Sequence, residues 1–137
     1  MIALSVDLGH ARTGLAVSDK SGFLASSLCV ITEYNDEKLI EKIAEKAKEV
    51  KAEILVVGLP KNMDGTEGES AIRAREIAAK LSERTGLPHH MQDERGTTIT
   101  AHNFLNAGNV YGKKRKQKVD AVAASIILQD YLDSQKG

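Results

Sequence analysis

Tryptophan is absent from the 137 residues and aromatics reach only 4%, so a core has to be assembled from Ile, Leu, Val and Ala. Cys29 is the single cysteine. It excludes an intramolecular disulfide, which fits a reducing cytoplasm. Nineteen Lys and Arg balance nineteen Asp and Glu, so no global field draws in polyanions, and nucleic-acid binding would need a local patch. No stretch approaches the ~20 apolar residues of a spanning helix. The opening "MIALSVDLG" also lacks the basic segment that begins a secretory leader. These absences point to a soluble cytoplasmic protein with no membrane part. What is present, 42% hydrophobic residues, suffices for one globular domain over residues 1–137 with its own core.

Residues 2–8 set Ile2, Leu4 and Val6 against Ala3, Ser5 and Asp7, the alternation of a strand with small residues and one carboxylate on its second face. "RTGLAVSD" (12–19) and "GFLASSLCVIT" (22–32) follow with Gly22 between them, which predicts a three-strand antiparallel meander. From Asn35 the period changes: Leu39, Ile40, Ile43, Ala44, Ala47 and Val50 make an amphipathic helix capped by Asn35 or Asp36. "EILVVGL" (53–59) is a continuous apolar run, as in a central strand covered on both faces.

A second helix runs from about 68 to 85, with Ala71, Ile72, Ala78 and Leu81 inward and Gly86 as its stop. "LPHHMQ" (87–92) is a short strand, and Thr97 or Thr98 caps a helix that carries Ile99 to Leu105. Residues 106–118 read as a loop with a basic run. A final helix puts Val119, Val122, Ala123, Ile126 and Ile127 on one stripe. The order β-β-β-α-β-α-β-α-α predicts an α/β fold, one mixed sheet with helices on both faces.

Asp7 closes the first strand at the edge where open α/β sheets bind ligands, and Gly9 leaves room beyond it for a phosphate or a metal. "VVGLPKNMDGTEG" (56–68) leads a buried strand into a polar loop ahead of a helix, whose free N–H groups favour anions. It lacks the lysine and spacing of a Walker loop, and a tight turn at Asp64 and Gly65 accounts for it equally well. In "QDERGTTITA" (92–101) two carboxylates are adjacent. Neighbouring side chains of a strand point to opposite faces, so only one of Asp93 and Glu94 can share a face with Asp7.

Asp120 starts the last helix beside Ala123 and Ala124, small residues that let the helix approach the sheet and bring Asp120 toward the same edge. Each acid alone is ordinarily a cap, a turn residue or a dipole partner. Converging, they are the oxygen-rich set with which divalent cations ~4 Å apart clamp the attacking and leaving oxygens of a phosphodiester. Five of the six residues from Lys113 to Lys118 are basic, which supplies the local patch that zero net charge otherwise withholds. His10, His89, His90 and His102 show no metal-ligand spacing. His89 and His90 alternate on a short strand, one expected buried and the other solvated, and Cys29 reads as a small core hydrophobe.

"DLGHARTGLAVSD", "VVGLPKNMDGTEG", "DERGTT" and "VDAVAASIILQDYL", in this order, resemble the YqgF family, the RuvX-like and Holliday-junction-resolvase-like group of the ribonuclease H superfamily. The resemblance implies a ribonuclease H-like fold with a five-stranded mixed sheet. It also implies a bacterial cytoplasmic nuclease that matures the 5′ end of pre-16S ribosomal RNA, with branched-DNA processing as an alternative. By position it assigns Asp7, Glu94 and Asp120 as catalytic magnesium or manganese ligands, with Asp93 as the alternate to Glu94. Arg12, Arg95 and Thr97 match motif positions that support substrate or structure, and Lys113, Lys114, Arg115 and Lys116 are expected on nucleic acid.

Two departures stand out: Gly96 where the family usually has bulk, and Ala11 where a basic residue is common. Partners are expected to be structured RNA or branched DNA, bound by a monomer or a homodimer. "DLGHARTGLAV" is also similar to the first phosphate motif of actin-like ATPases and sugar kinases. Those need a second equivalent domain, which 137 residues are not expected to supply. A third reading is an RNA-binding assembly factor that keeps the acids without turnover, and metal-dependent cleavage of a defined RNA separates it from a nuclease.

Overall fold

The layering follows from alternation along Ala3–Leu8 (β1): Leu4 and Val6 are buried in one apolar cluster, and Ala3 in another on the opposite face. The computed structural model describes residues 1–62, 64–93 and 112–135, with side chains of the last segment from Val122 onward. β1 pairs antiparallel with Arg12–Ser18 (β2), and β2 with Ala25–Thr32 (β3), the expected meander. On its other side β1 pairs parallel with Ile54–Leu59 (β4), and β4 with His89–Asp93 (β5). The order β3-β2-β1-β4-β5 makes β1 the central strand. The three parallel strands finish at one edge, at Leu8, Leu59 and Asp93.

Two helices, Asp36–Glu49 (α1) and Glu69–Thr85 (α2), cover the face of Leu4 and Val6, and Gly112–Gln135 (α3) covers the other. The α1 cap is Asn35, whose Oδ1 accepts from the Lys38 N–H at 3.0 Å. Leu4, Leu15, Leu39, Ile43 and Leu55 are wholly buried on that side, each burial contributing about 1.5–3 kcal/mol. Toward α3 the sheet is built small, with Ala3, Ser5 and Ala16 meeting Ala124, so helix and sheet approach closely.

Several sequence expectations need correction. The third strand starts at Ala25 because Asp19 organises the preceding turn: its carboxylate accepts from Ser21 Oγ at 2.7 Å and from the Phe23 and Leu24 N–H groups at 2.8 and 3.3 Å. Phe23 and Leu24 are therefore exposed. In α2 the inward stripe is Ala71, Ala74, Ile77, Ala78 and Leu81. Ile72 sits one step round the helix and is exposed.

The stripe of α3 is Ala123, Ala124, Ile127, Leu128 and Leu132, turned by about one residue, with Val122 and Ile126 half-buried. Lys113, Lys114, Arg115 and Lys116 lie in the first turns of α3 and not in a loop. Lys, Arg and Gln are good helix formers, and no residue from 113 to 118 interrupts the run. His89 and His90 are both exposed because β5 is an edge strand. Cys29 is half-buried against the core, and burial pushes its thiol up. The helix expected from Thr97 or Thr98 lies outside the described residues. Among the described residues, no helix is long and apolar enough to cross a membrane.

Candidate functional site

Asp7 stands one residue before the end of β1, on the face that carries Ala3 and Ser5 toward α3. Its register partner on β2 is Gly14. Val6 is in register with Val57, so the next position on β4, Gly58, flanks Asp7 from the other side. Glycine on both neighbouring strands leaves the carboxylate, half-buried, without a flanking side chain at either register position. Just past it the chain reverses: the Gly9 N–H donates to the Arg12 carbonyl at 3.0 Å. A Cβ on Gly9 would collide with that same oxygen, so the turn requires glycine.

The line of α3 is fixed by one buried contact, in which Ser5 Oγ donates to the Ala124 carbonyl at 2.7 Å. Further along α3, Gln129 accepts from the Ala25 N–H at 3.0 Å and donates to the Phe23 carbonyl at 2.9 Å. Leu132 packs in the cluster that holds Ala3. Later residues of α3 therefore lie toward the start of β1, so the helix runs antiparallel to that strand. From Ser5 to Asp7 the strand advances about 7 Å. From Ala124 back to position 120 the helix retreats about 6 Å in the same direction. The backbone at Asp120 is thereby brought alongside Asp7.

Of the adjacent acids, only Asp93 is described. Gln92 is in register with Gly58, and Asp93 with Leu59. Val56 belongs to the α3 face and Val57 to the opposite one. Gln92 therefore shares a face with Asp7, whereas Asp93 lies on the other. His90 confirms the assignment of faces, its ring 4.9 Å from Tyr131 of α3 and its Nε2 3.2 Å from Gln92 Oε1. A side chain two residues after Gln92 would regain the face of Asp7 if the alternation continued. Glu94 holds that position, and it lies outside the described residues, as do Arg95 and Thr97.

Arg12 opens β2, half-buried and in register with Thr32 of β3, a strand away from Asp7. The loop after β4 closes on itself. Asp64 Oδ1 accepts from Thr66 N–H and Oγ at 3.0 and 2.7 Å, the Gly65 N–H donates to the Asn62 carbonyl at 2.8 Å, and Gly65 has a φ of 91°. That is the tight turn expected at Asp64 and Gly65. Two carboxylates outside the expected acid set are held below their usual range: Asp19 by Ser21 and the Phe23 N–H, and Glu67 by Arg75.

No group of three His, Cys, Asp or Glu that could hold a metal occurs among the described residues. Of Asp7, Glu94 and Asp120, only Asp7 has a described side chain, and its hard oxygen donors suit magnesium or manganese. Sequence reasoning passed over Gly14 and Gly58, whose relation to Asp7 exists only once strands are paired. It also passed over Arg73, whose partners lie 37 and 64 residues away. A serine among the apolar residues of β1 was the one available signal for Ser5.

A family profile described as RuvX, Holliday junction resolvase, matches residues 1–134. A candidate pre-16S rRNA nuclease of Clostridium botulinum is 41% identical over 133 residues, 97% of each chain. Another, from Leuconostoc citreum, is 42% identical over 137 residues, covering 98% of this chain and 96% of its own. Among solved structures, the RuvC of Thermus thermophilus in complex with a Holliday junction aligns with a TM-score of 0.63 and 14% identity, over 100% of this chain and 96% of that one. At that identity the likeness is one of fold.

Proposed function

This chain belongs to the RuvX family, and on that footing we propose that it is a metal-dependent cytoplasmic nuclease that hydrolyses phosphodiester bonds at the 5′ end of pre-16S ribosomal RNA. One observation supports the reading most: the Ser5–Ala124 hydrogen bond ties α3 to the face of β1 that carries Asp7, whose strand ends at the edge shared by the parallel strands. Asp7, Glu94 and Asp120 are the acids in this proposal. The face assignment supports Glu94 over Asp93, because Asp93 shares its face with Leu59 and points away from Asp7.

Magnesium or manganese held by Asp7, Glu94 and Asp120 would neutralise charge at the scissile phosphate and align the attacking and leaving oxygens. Asp7 offers a hard carboxylate with room around it, because Gly14 and Gly58 add no side chains. Lys113, Lys114, Arg115 and Lys116, in the first turns of α3, lie on the helix that carries Asp120 and track the phosphate backbone. Arg12, Arg95 and Thr97 hold substrate or the turns that present it. The relatives named for pre-16S rRNA favour RNA as the substrate. The family description favours a second reading, a four-way DNA junction.

The test is cleavage of a 5′-extended 16S precursor and of a four-way DNA junction, in magnesium, manganese or chelator, by wild-type protein and by Asp7→Asn. Metal-dependent cutting of the RNA that Asp7→Asn abolishes is the expected result. Cutting of the junction alone would establish the second reading. Both substrates intact under every metal would leave a binding module.

A further inference from the structure

The strand that carries Asp7 ends in a turn held from outside by Arg73. From the fifth residue of α2, directly after Glu69–Ser70–Ala71–Ile72, its Nη1 donates to the Gly9 carbonyl at 2.8 Å. Its Nη2 donates to Asp36 Oδ1 at 2.9 Å, and its Nε reaches Asp36 Oδ2 at 3.4 Å. One half-buried guanidinium therefore ties together the β1–β2 turn, the first turn of α1 and the first turns of α2. Both sides of the Gly9 residue are engaged, its N–H by the Arg12 carbonyl and its C=O by Arg73. The turn between Asp7 and Arg12 has little freedom left.

Other ion pairs between α1 and α2 differ in kind. Arg84–Glu41 and Lys80–Glu37 join exposed side chains on the helix surfaces, a class worth little in water. Arg73 alone of these reaches through to backbone beside the candidate acid. Leu8, Gly9, His10, Pro60, Ser70 and Arg73 also line a cleft of about 300 Å³ at the same sheet edge.

We infer that Arg73 is a positioning residue for the nuclease site, holding the β1–β2 turn, and through it Asp7, at the geometry that the metal and substrate require. The inference rests on the nuclease reading above. Arg73 has no part in the chemistry itself. It acts through Gly9, in the way that outer partners of a ligand set its orientation.

Three measurements on each folded variant test this: kcat and KM for precursor RNA, and manganese affinity by titration calorimetry without substrate. Arg73→Met should lower kcat on the order of 10²-fold, the loss a misplacement near 1 Å brings. Manganese affinity should fall about 10–100-fold, while KM stays within about threefold of wild type. Arg73→Lys, which can restore one contact, should recover part of both losses. Arg84→Met, which breaks only a surface pair, should leave all three values at wild type. Should Arg73→Met fail to fold, Asp36→Asn removes the charged partner alone and should show the same split at smaller size.

Wild-type kcat and manganese affinity in a folded Arg73→Met would overturn the inference and leave the nuclease reading standing. So would a raised KM with kcat unchanged, which would make Arg73 a substrate contact. A wild-type protein that neither binds manganese nor cuts RNA overturns the nuclease reading and this role together.

Discussion

Replacing Ser5 by alanine removes one hydroxyl and nothing else, from the contact that sets α3 against the sheet. Ser5 is fully buried, and its Oγ lies 2.7 Å from the Ala124 carbonyl. The carbonyl belongs to a helix and keeps its helical acceptor role, so the loss is close to the net value of one buried hydrogen bond, about 1 kcal/mol. Unfolding entropy near 2.1 cal/mol/K per residue gives roughly 0.29 kcal/mol/K for a chain of this size, so Tm should fall by about 3–4 °C. Calorimetry reads the shift, and urea unfolding should show a lower midpoint at unchanged slope.

Ser5→Leu asks the harder question, because it inserts volume where Ala16, Val56 and Ala124 close in. Overpacking costs about 1–3 kcal/mol and lifts α3 away from β1. RNA cleavage should then fall much further in Ser5→Leu than in Ser5→Ala, since the distance between Asp7 and position 120 opens. A Ser5→Leu protein with wild-type Tm and wild-type turnover would refute the placement of α3 and, with it, the pairing of those two acids.

Glu94→Gln should cost far more cleavage than Asp93→Asn, measured as kcat under saturating metal. The reverse order would mean that the chain twists out of the strand pattern directly after Gln92. Changing Lys113, Lys114, Arg115 and Lys116 together to Gln should weaken RNA binding and flatten the slope of log affinity against log salt by about two to four units, with turnover at saturating RNA little changed. An unaltered slope would place the substrate track elsewhere. The Asp19 carboxyl is held below its ordinary value of 3.8, first by Ser21 and then by the Phe23 N–H. Its contribution to stability is therefore present above that value and lost as pH falls through the depressed one. Asp19→Asn should lower Tm at neutral pH and reduce the further loss on acidification. Parallel Tm-against-pH curves for the two proteins would contradict it.

Local patterns carried most of the fold. The alternation in β1, the capping asparagine before α1 and the glycine after α2 are each written within a few residues, and the structure uses each as read. Errors arose where a side chain reached beyond its own segment. Asp19 spends its carboxylate on the turn ahead of β3 and so delays that strand. β5 has a neighbour on one side only, which leaves both His89 and His90 exposed. The basic run has no apolar stripe to mark it as helix, although Lys and Arg favour one.

For the candidate site, the place of Asp7 near the end of its strand was legible in the sequence, and so was the conflict between Asp93 and Glu94, from alternation alone. Which face Asp93 takes required knowing that Val56 and Val57 face opposite layers. Gly14, Gly58 and Arg73 act across strand and helix pairings that no local window contains.

Ser5 and Ala124 are 119 residues apart in the chain, and this separation governs when the protein becomes competent during synthesis. The β1–β2–β3 meander closes through short connections and forms early. β4 and β5 add to it as they leave the ribosome. Until α3 arrives, the face of Ala3, Ala16 and Val56 stays bare, and Asp7 has no helix beside it. At about 5–20 residues per second, the chain passes several seconds in that incomplete form. In the nascent chain, Asp7 therefore emerges long before the helix that packs on its face of β1.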